Sequence, residues 1–451
     1  MGSPPLMNVA ASAPRGWLGL HPRNLTIIGA LVFLVALAAL APGFTSAKKI
    51  YFDETWYVPT ARQWLANGVM LHPEHPPLAK MLIAAGMKLF GDNPFGWRAM
   101  PLAFGALTVT GVWLWTLALT SDVALALFSA AITLLDGVVF VQSRIAMLDI
   151  FIICFCVLAL AAFTAGENAV TKGGALRWHL VAGCCLGLAG ACKWSGWFLA
   201  FGLIALKLTI ALLRVWRARF EDARTGDFYA PGAPAIGVAG GLAAYLAAPF
   251  LVYFLCYVPQ LIHAHSLYEF IATHENMIAI MTGKSADHPY KSLWWTWPAL
   301  WRPVWYLFDA PDKAAGGWSE TGKAAAVVGL PNPFVLFAGE LAILWTLYAG
   351  VIRRARAPLI VATAFFAQWL PWAVNPKGLE FYYYFYPSIV CLGPALALAA
   401  GALERPWRDA FAWATLGIAM AMFVFFLPVL VSAIGIGPAA FELRIWLPSW
   451  R

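Results

Sequence analysis

Apolar runs long enough to cross a hydrocarbon core of about 30 Å recur along this chain, more of them than the interior of one soluble domain can hide. They fall near 24–44, 99–119, 123–141, 146–164, 180–195, 196–213, 235–256, 333–351, 358–374, 382–402 and 410–431. Of the 451 residues 61% are hydrophobic and only 12% charged, with a mean hydropathy of +0.72. A water-facing surface cannot be built from that material. The expected fold class is all-α, a polytopic membrane protein with about 11 transmembrane helices in a single domain over 1–451.

The net charge of +8 does not point to nucleic acid, because the basic residues are scattered between apolar segments with no basic stripe or recognition helix. They mark topology instead. Short connectors on one side carry Lys172, Arg177, Arg214, Arg217, Arg219, Arg224, Arg353, Arg354, Arg356, Arg405 and Arg408, and Arg15 and Arg23 precede the first segment. That side is expected to be cytoplasmic. The other side receives two long connectors, 45–98 and 257–332, holding most of the acidic residues, most of the histidines and much of the tryptophan. The expected location is a bacterial inner membrane with the site facing the exterior.

Neither connector reads as disordered. In 75–91, Leu78, Met81, Leu82, Ala85 and Leu89 recur at helical spacing, as in an amphipathic helix lying in the interface, and 288–309 is rich in headgroup-seeking aromatics. The seven cysteines lie in or at the ends of apolar segments and read as small buried hydrophobes. His72, Glu74 and His75 are interrupted by prolines, and His263 and His265 are two apart; neither set has the helical spacing of a metalloprotease ligand pair.

Ionisable residues in spanning helices cost roughly 2.5–3.5 kcal/mol each and ask for a reason. Arg98, Asp136, Arg144, Asp149, Lys193, Lys377 and Glu380 all fall near expected outer helix ends. Asp136 and Arg144 lie about 80° apart on an ideal helix and could pair if the helix persisted. An ordinary ion pair explains any single member as well as a functional role does; the cationic set as a whole exceeds what pairing needs. Asp53 and Glu54, wedged between Phe52 and Trp56–Tyr57, sit where apolar neighbours raise a carboxylate's pKa and suit it to act as a base.

Taken in order, "FDETWY", "HPPLAK", "GWRAMPLAFGALTV", "LLDGVVFVQSRIAMLD", "CKWSG", "HPYKSLWWTWPALWRPVWY" and "EFYYYFYP" resemble the protein O-mannosyltransferase family, membrane glycosyltransferases of the GT-C superfamily. The resemblance implies a GT-C-type fold and transfer of a sugar, with mannose expected, from a polyprenyl-phosphate carrier to an acceptor hydroxyl of an exported protein. Asp53 matches the family's base and Glu54 its acidic partner. His75, Lys80, Arg98, Arg144, Asp149, Lys193, His288, Trp297, Arg302 and Lys377 are the expected contacts of the donor's phosphate and sugar. Two departures stand out: 257–332 is too short for the soluble loop domain of the eukaryotic enzymes, and Lys377 and Tyr384 stand near positions where the family commonly has arginine and histidine. A lipid or glycan acceptor stays open, whereas a transporter or flippase would call for midplane charges and an internal repeat that the sequence lacks.

The chemistry needs one base and several cations. A phosphate leaves as an anion without a second acid to protonate it, unlike the leaving group of a glycoside hydrolase. No cofactor is expected, and a divalent metal is not required.

Overall fold

The fold is described from a computed structural model that covers residues 22–220, 236–283, 287–310, 322–375 and 378–451. In chain order the helices are α1 (Pro22–Leu40), α2 (Glu54–Asn67), α3 (Leu78–Phe90), α4 (Pro94–Thr120), α5 (Val123–Leu134), α6 (Gly137–Gln142), α7 (Asp149–Glu167), α8 (Lys172–Cys192), α9 (Trp197–Phe220), α10 (Gly237–Leu242), α11 (Ala248–Ala264) and α12 (Tyr268–Thr282). A hairpin of β1 (Val304–Asp309) and β2 (Ala325–Gly329) follows, then α13 (Pro333–Val351), α14 (Arg356–Trp369), α15 (Tyr386–Ile389), α16 (Leu392–Gly401), α17 (Trp407–Phe426) and α18 (Pro438–Glu442).

All eleven expected segments carry helix. Nine helical spans among the described residues are long and apolar enough to cross a membrane, and two, Asn24–Leu40 and Val123–Leu134, are shorter. Among the described residues the strands that depart from the all-α expectation form the β1–β2 hairpin, whose run "VWYLFD" is the β-branched and aromatic material that strands favour. The amphipathic helix expected within 75–91 is α3.

Helix α7 is the most enclosed span, packed between α4 and α8. Close approach of its neighbours depends on missing side chains. A Cβ on Gly111 of α4 would lie 2.9 Å from Val157 Cγ1 of α7, and one on Gly166 of α7 would lie 2.8 Å from His179 Cε1 of α8.

Three boundaries differ from expectation. The segment 123–141 is not one helix, because Asp136 interrupts it and caps α6, accepting from Val138 N at 2.9 Å and Val139 N at 3.4 Å. Its second oxygen accepts from Asn332 N at 3.0 Å. The Asp136–Arg144 pair that an unbroken helix would allow therefore does not form. Helix α8 ends at Cys192 rather than 195, because Lys193 is extended (φ −161°, ψ 143°), within the break expected between 180–195 and 196–213. The span from Gly237 continues to Ala264, so the second long connector begins later than residue 257.

The two ends of the helix set differ. At one end Arg408 pairs with Asp122 at 2.6 Å and Arg356 donates to Glu167 O at 2.9 Å and Asn168 Oδ1 at 2.7 Å. The candidate site lies at the other.

Candidate active site

The chain turns sharply before α2. Phe52 adopts φ +50°, a region a phenylalanine rarely enters, and its ring is fixed against Tyr306 at 4.5 Å and Tyr383 at 6.0 Å. Strain of this kind, on the order of 1–3 kcal/mol, persists where surrounding packing over-determines it. Asp53 then occupies the N-cap position of α2, but its side chain makes no capping hydrogen bond. It is left for other work.

Glu54, the next residue, faces the interior. Its carboxylate takes Arg98 Nε at 2.7 Å and Arg98 Nη2 at 2.8 Å, together with Ala146 N at 2.9 Å and Tyr51 N at 3.2 Å. Both partners are 0% exposed. Arg98 spends its remaining donors on the carbonyls of Phe44 (3.3 Å), Ala47 (2.7 Å) and Lys49 (3.2 Å). Arg98, expected from the sequence at the donor phosphate, is thus occupied by a carboxylate and three carbonyls. The pair ties α4, the turn before α2 and the α6–α7 connection into one unit.

Around Asp53 the fold gathers Asp149, Lys193, Glu74 and Tyr383. Asp149 opens α7 and Lys193 follows α8, so each charge sits at the helix end whose dipole favours it. They pair at 3.2 Å, and Lys193 Nζ lies 4.4 Å from the centre of the Tyr384 ring and 5.4 Å from that of Tyr383. Burial pushes the Asp53 carboxyl up to about 7; Asp149 and Glu74 add to the rise, and Lys193 and a hydrogen bond from Tyr383 oppose it. Tyr57 closes the wall beside Asp53.

The other expected donor contacts are dispersed. Lys80, fully buried, donates to His72 O at 2.9 Å and His75 O at 2.7 Å, so it staples the loop that carries Glu74. Burial pulls its pKa down to about 7, against the pull of Glu74. Even a neutral amine keeps two N–H groups, enough for both carbonyls. Arg144, 5% exposed, lies over the Phe140 ring at 4.4 Å, and among the described residues its guanidinium donates only to Leu40 O, at 3.0 Å. It borders a narrow cleft with Tyr51, Ser46 and Ser432. His288 accepts from Tyr290 N at 3.1 Å and meets Phe381 at 5.0 Å. Trp297 is 0% exposed and donates to Ser292 Oγ at 2.9 Å, which makes it a core residue rather than a sugar platform. Arg302 lies near Tyr290 with a buried Nε that has no partner among the described residues. Lys377 lies outside the described residues.

Sequence reasoning singled out Asp53, Asp149 and Lys193 but not Tyr57, Glu74 or Tyr383. A run of tyrosines at the mouth of an apolar segment was the available signal. Among the described residues no group of three or more His, Cys, Asp or Glu is placed to hold a metal ion, and the seven cysteines are unpaired thiols.

A family model described as dolichyl-phosphate-mannose-protein mannosyltransferase matches residues 88–268. The polyprenol-phosphate-mannose–protein mannosyltransferase of Mycobacterium tuberculosis (strain CDC 1551 / Oshkosh) is 30% identical over 517 aligned positions, covering 99% of this chain and 95% of that one. The chain belongs to the protein mannosyltransferase family. The mannosyltransferase of Mycolicibacterium smegmatis (strain ATCC 700084 / mc(2)155) is 29% identical over 90% of this chain and 89% of its own. In fold, the chain is similar to the Saccharomyces cerevisiae protein O-mannosyltransferase Pmt1–Pmt2 complex bound to the sugar donor, with a TM-score of 0.75 at 14% identity over 96% of this chain and 94% of that one. Apo ArnT from Cupriavidus metallidurans has a TM-score of 0.60 at 14% identity over 94% and 79%. The mannosyltransferase architecture extends over nearly the whole chain.

Proposed function

We propose that this membrane enzyme transfers mannose from a polyprenyl-phosphate carrier to a serine or threonine hydroxyl of an exported protein, with Asp53 as the base. The observation that carries the reading is the Asp53 carboxyl, raised to about 7 beside the Asp149–Lys193 pair. A base is most useful when its pKa lies near the working pH. The acceptor oxygen attacks the anomeric carbon while the bond to the phosphate oxygen breaks; the electron pair leaves with the phosphate and the hydroxyl proton passes to Asp53. Attack opposite the leaving group inverts the anomeric centre.

Lys193, held by Asp149 and turned toward Asp53, provides positive potential where charge develops. Among the described residues Arg144, whose guanidinium has one carbonyl partner, is a cation with donors left for the carrier phosphate. Glu54 and Arg98 act by positioning. The basic connectors support a cytoplasmic assignment for the end that carries Arg356 and Arg408, and with it the reading that Asp53 faces the outer side of an inner membrane.

Purified protein in nanodiscs, given polyprenyl-phosphate mannose and a threonine peptide, should add one hexose to the peptide with inverted anomeric configuration. Transfer to co-purified lipid or glycan and none to peptide would overturn the acceptor assignment. Release of free mannose alone would overturn the reaction class.

A further inference from the structure

We propose that Tyr253 is a positioning residue for the transfer reaction: its hydroxyl, on α11, anchors the turn that carries Lys193 and thereby holds that ammonium beside Asp53. The inference rests on the reading of Asp53 as the base. Lys193 is the single residue between the end of α8 and a one-turn 3-10 helix at Trp194–Gly196, after which α9 begins at Trp197. Its backbone is tied on both sides, with Lys193 N donating to Ala189 O at 3.2 Å and Gly196 N donating to Lys193 O at 2.9 Å. The turn has little room to move inward, because a Cβ on Gly190 would lie 2.4 Å from the Trp197 ring and one on Gly196 would lie 2.4 Å from Ala189 C. The two tryptophans of the turn set its orientation.

Trp194 and Trp197 both press on one place on α11. The Trp194 indole N–H donates to the Tyr253 hydroxyl at 2.9 Å, while the Trp197 ring lies 5.5 Å from the Tyr253 ring and stacks on Phe250 at 5.4 Å. Tyr253 is buried, and its hydroxyl also meets the Tyr257 hydroxyl at 3.0 Å and His274 Nε2 at 2.8 Å. A phenolic hydroxyl has one hydrogen to give and two lone pairs, so three partners fill it. An indole can only donate. His274 Nδ1 faces Phe270 O at 2.6 Å and so carries a hydrogen, which in the neutral ring leaves Nε2 to accept. Tyr253 therefore gives its hydrogen to His274 and takes Trp194 and Tyr257 on its lone pairs. One hydroxyl joins the α8–α9 turn, α11 and α12.

The packing around this hydroxyl reaches a second part of the site. Ala191, Tyr253, Tyr257 and Leu261 form a small buried cluster, and Leu78 packs against it together with Trp194, Trp197 and Phe270. Leu78 opens α3, directly after the loop that Lys80 staples and that carries Glu74. The cluster thus backs both Lys193 and Glu74, two of the charged groups around Asp53. Facing Lys193 are Asp149 at 3.2 Å, the rings of Tyr384 and Tyr383, and Asp53. Burial and Asp149 raise the Asp53 carboxyl, and Lys193 is the group that opposes them most. A turn released from Tyr253 lets Lys193 move away from Asp53, and the carboxyl then rises further. Tyr253 acts through Lys193 and does not touch substrate.

The test is the pH dependence of kcat/KM for mannosyl transfer by the full-length enzyme with its lipid-linked donor, measured for wild type, Tyr253→Phe, Trp194→Phe and, as a control, Tyr257→Phe. The first two variants each remove the hydrogen bond between the turn and α11, so each should move the midpoint of the acid limb upward by at least about half a pH unit, a loss of about threefold on that limb. Tyr257→Phe takes a hydroxyl from the same cluster but leaves that bond, and its midpoint should stay with wild type. Combining Tyr253→Phe with Trp194→Phe should shift the midpoint no further than either alone, because both break one bond. Trp194→Phe keeps the Tyr253–His274 contact and decides the question even if Tyr253→Phe fails to fold. An unshifted midpoint in Trp194→Phe would overturn the inference, and so would an equal shift in Tyr257→Phe, the mark of a general loosening of the cluster. A wild-type profile with no acid limb would instead overturn Asp53 as the base, the reading on which the inference rests.

Discussion

The Glu54–Arg98 pair distinguishes an arginine that binds phosphate from one that holds the fold. In Arg98→Met the guanidinium is lost, and Glu54 is left fully buried with only the amides of Ala146 and Tyr51 as partners. The carbonyls of Phe44, Ala47 and Lys49 lose their donor as well. Removing one member of a buried ion pair costs about 3–5 kcal/mol, chiefly because the other charge is stranded. Those carbonyls lie on a partly exposed segment where water replaces the lost donor, so the ion-pair figure dominates and a loss of about 4 kcal/mol is expected. Glu54→Gln strands the guanidinium instead, with three carbonyls still in place. In the double variant no charge is left behind, and the combined loss should fall short of the sum by more than about 2 kcal/mol, as for directly coupled groups. Thermal and denaturant unfolding in detergent, followed by fluorescence of the 23 tryptophans, measures each corner of the cycle, and donor KM is determined on the same preparations. An Arg98→Met protein that unfolds like wild type but has a donor KM raised tenfold or more would make Arg98 a phosphate ligand and the positioning role an error.

Asp53→Asn should lower kcat by about 10²–10⁴-fold, the usual contribution of a general base, with donor binding retained; near-normal turnover would remove Asp53 from the reaction. In the wild type kcat/KM should rise with pH and level off above about 7, where Asp53 loses its proton; a flat profile from pH 5.5 to 8.5 would contradict the assignment. The same raised pKa has an opposite effect on stability: its contribution is full below the ordinary carboxylate range near 3.9 and is lost as pH rises through about 7. Asp53→Asn should therefore be at least as stable as wild type at pH 8, with the gap narrowing at pH 5. EDTA should leave the transfer rate unchanged, and a loss restored by one divalent ion would make Asp53 a metal ligand.

Hydropathy made the spans legible, because twenty apolar residues admit few soluble explanations. It concealed the break at Asp136. "LLDGVV" contains an Asp-Gly N-cap signal, but its apolar flanks carried the window straight through it. The adjacency of Asp53 and Glu54 was visible in one line of sequence, while their divergence was not. Successive residues at a helix start point about 100° apart, and only the arrival of Arg98 from α4 decides which carboxylate turns inward. The Asp149–Lys193 contact spans 44 residues and depends on two helices ending at the same level. Trp297, expected at the donor from the family resemblance, is instead buried by packing against Trp372, Tyr384 and Phe385. The β1–β2 hairpin was hidden by its aromatics, which suit a headgroup belt as well as a strand.

The capping of Asp136 also sets an order of events during synthesis. Asn332 N reaches Asp136 at 3.0 Å, and Asn332 Nδ2 reaches Leu135 O at 3.1 Å and Ala419 O at 2.8 Å. A chain emerging from the ribosome makes residues 135 and 136 long before 332. Until α13 is inserted, the break between α5 and α6 lacks these partners, and an unsatisfied backbone group in hydrocarbon costs several kcal/mol. The first seven spans therefore form a waiting intermediate, held open at one seam until the second half arrives to close it. A chain stopped before Pro331 should be cut by protease at 134–138, and the full chain should not. Equal resistance at that seam would mean that the first half closes by itself.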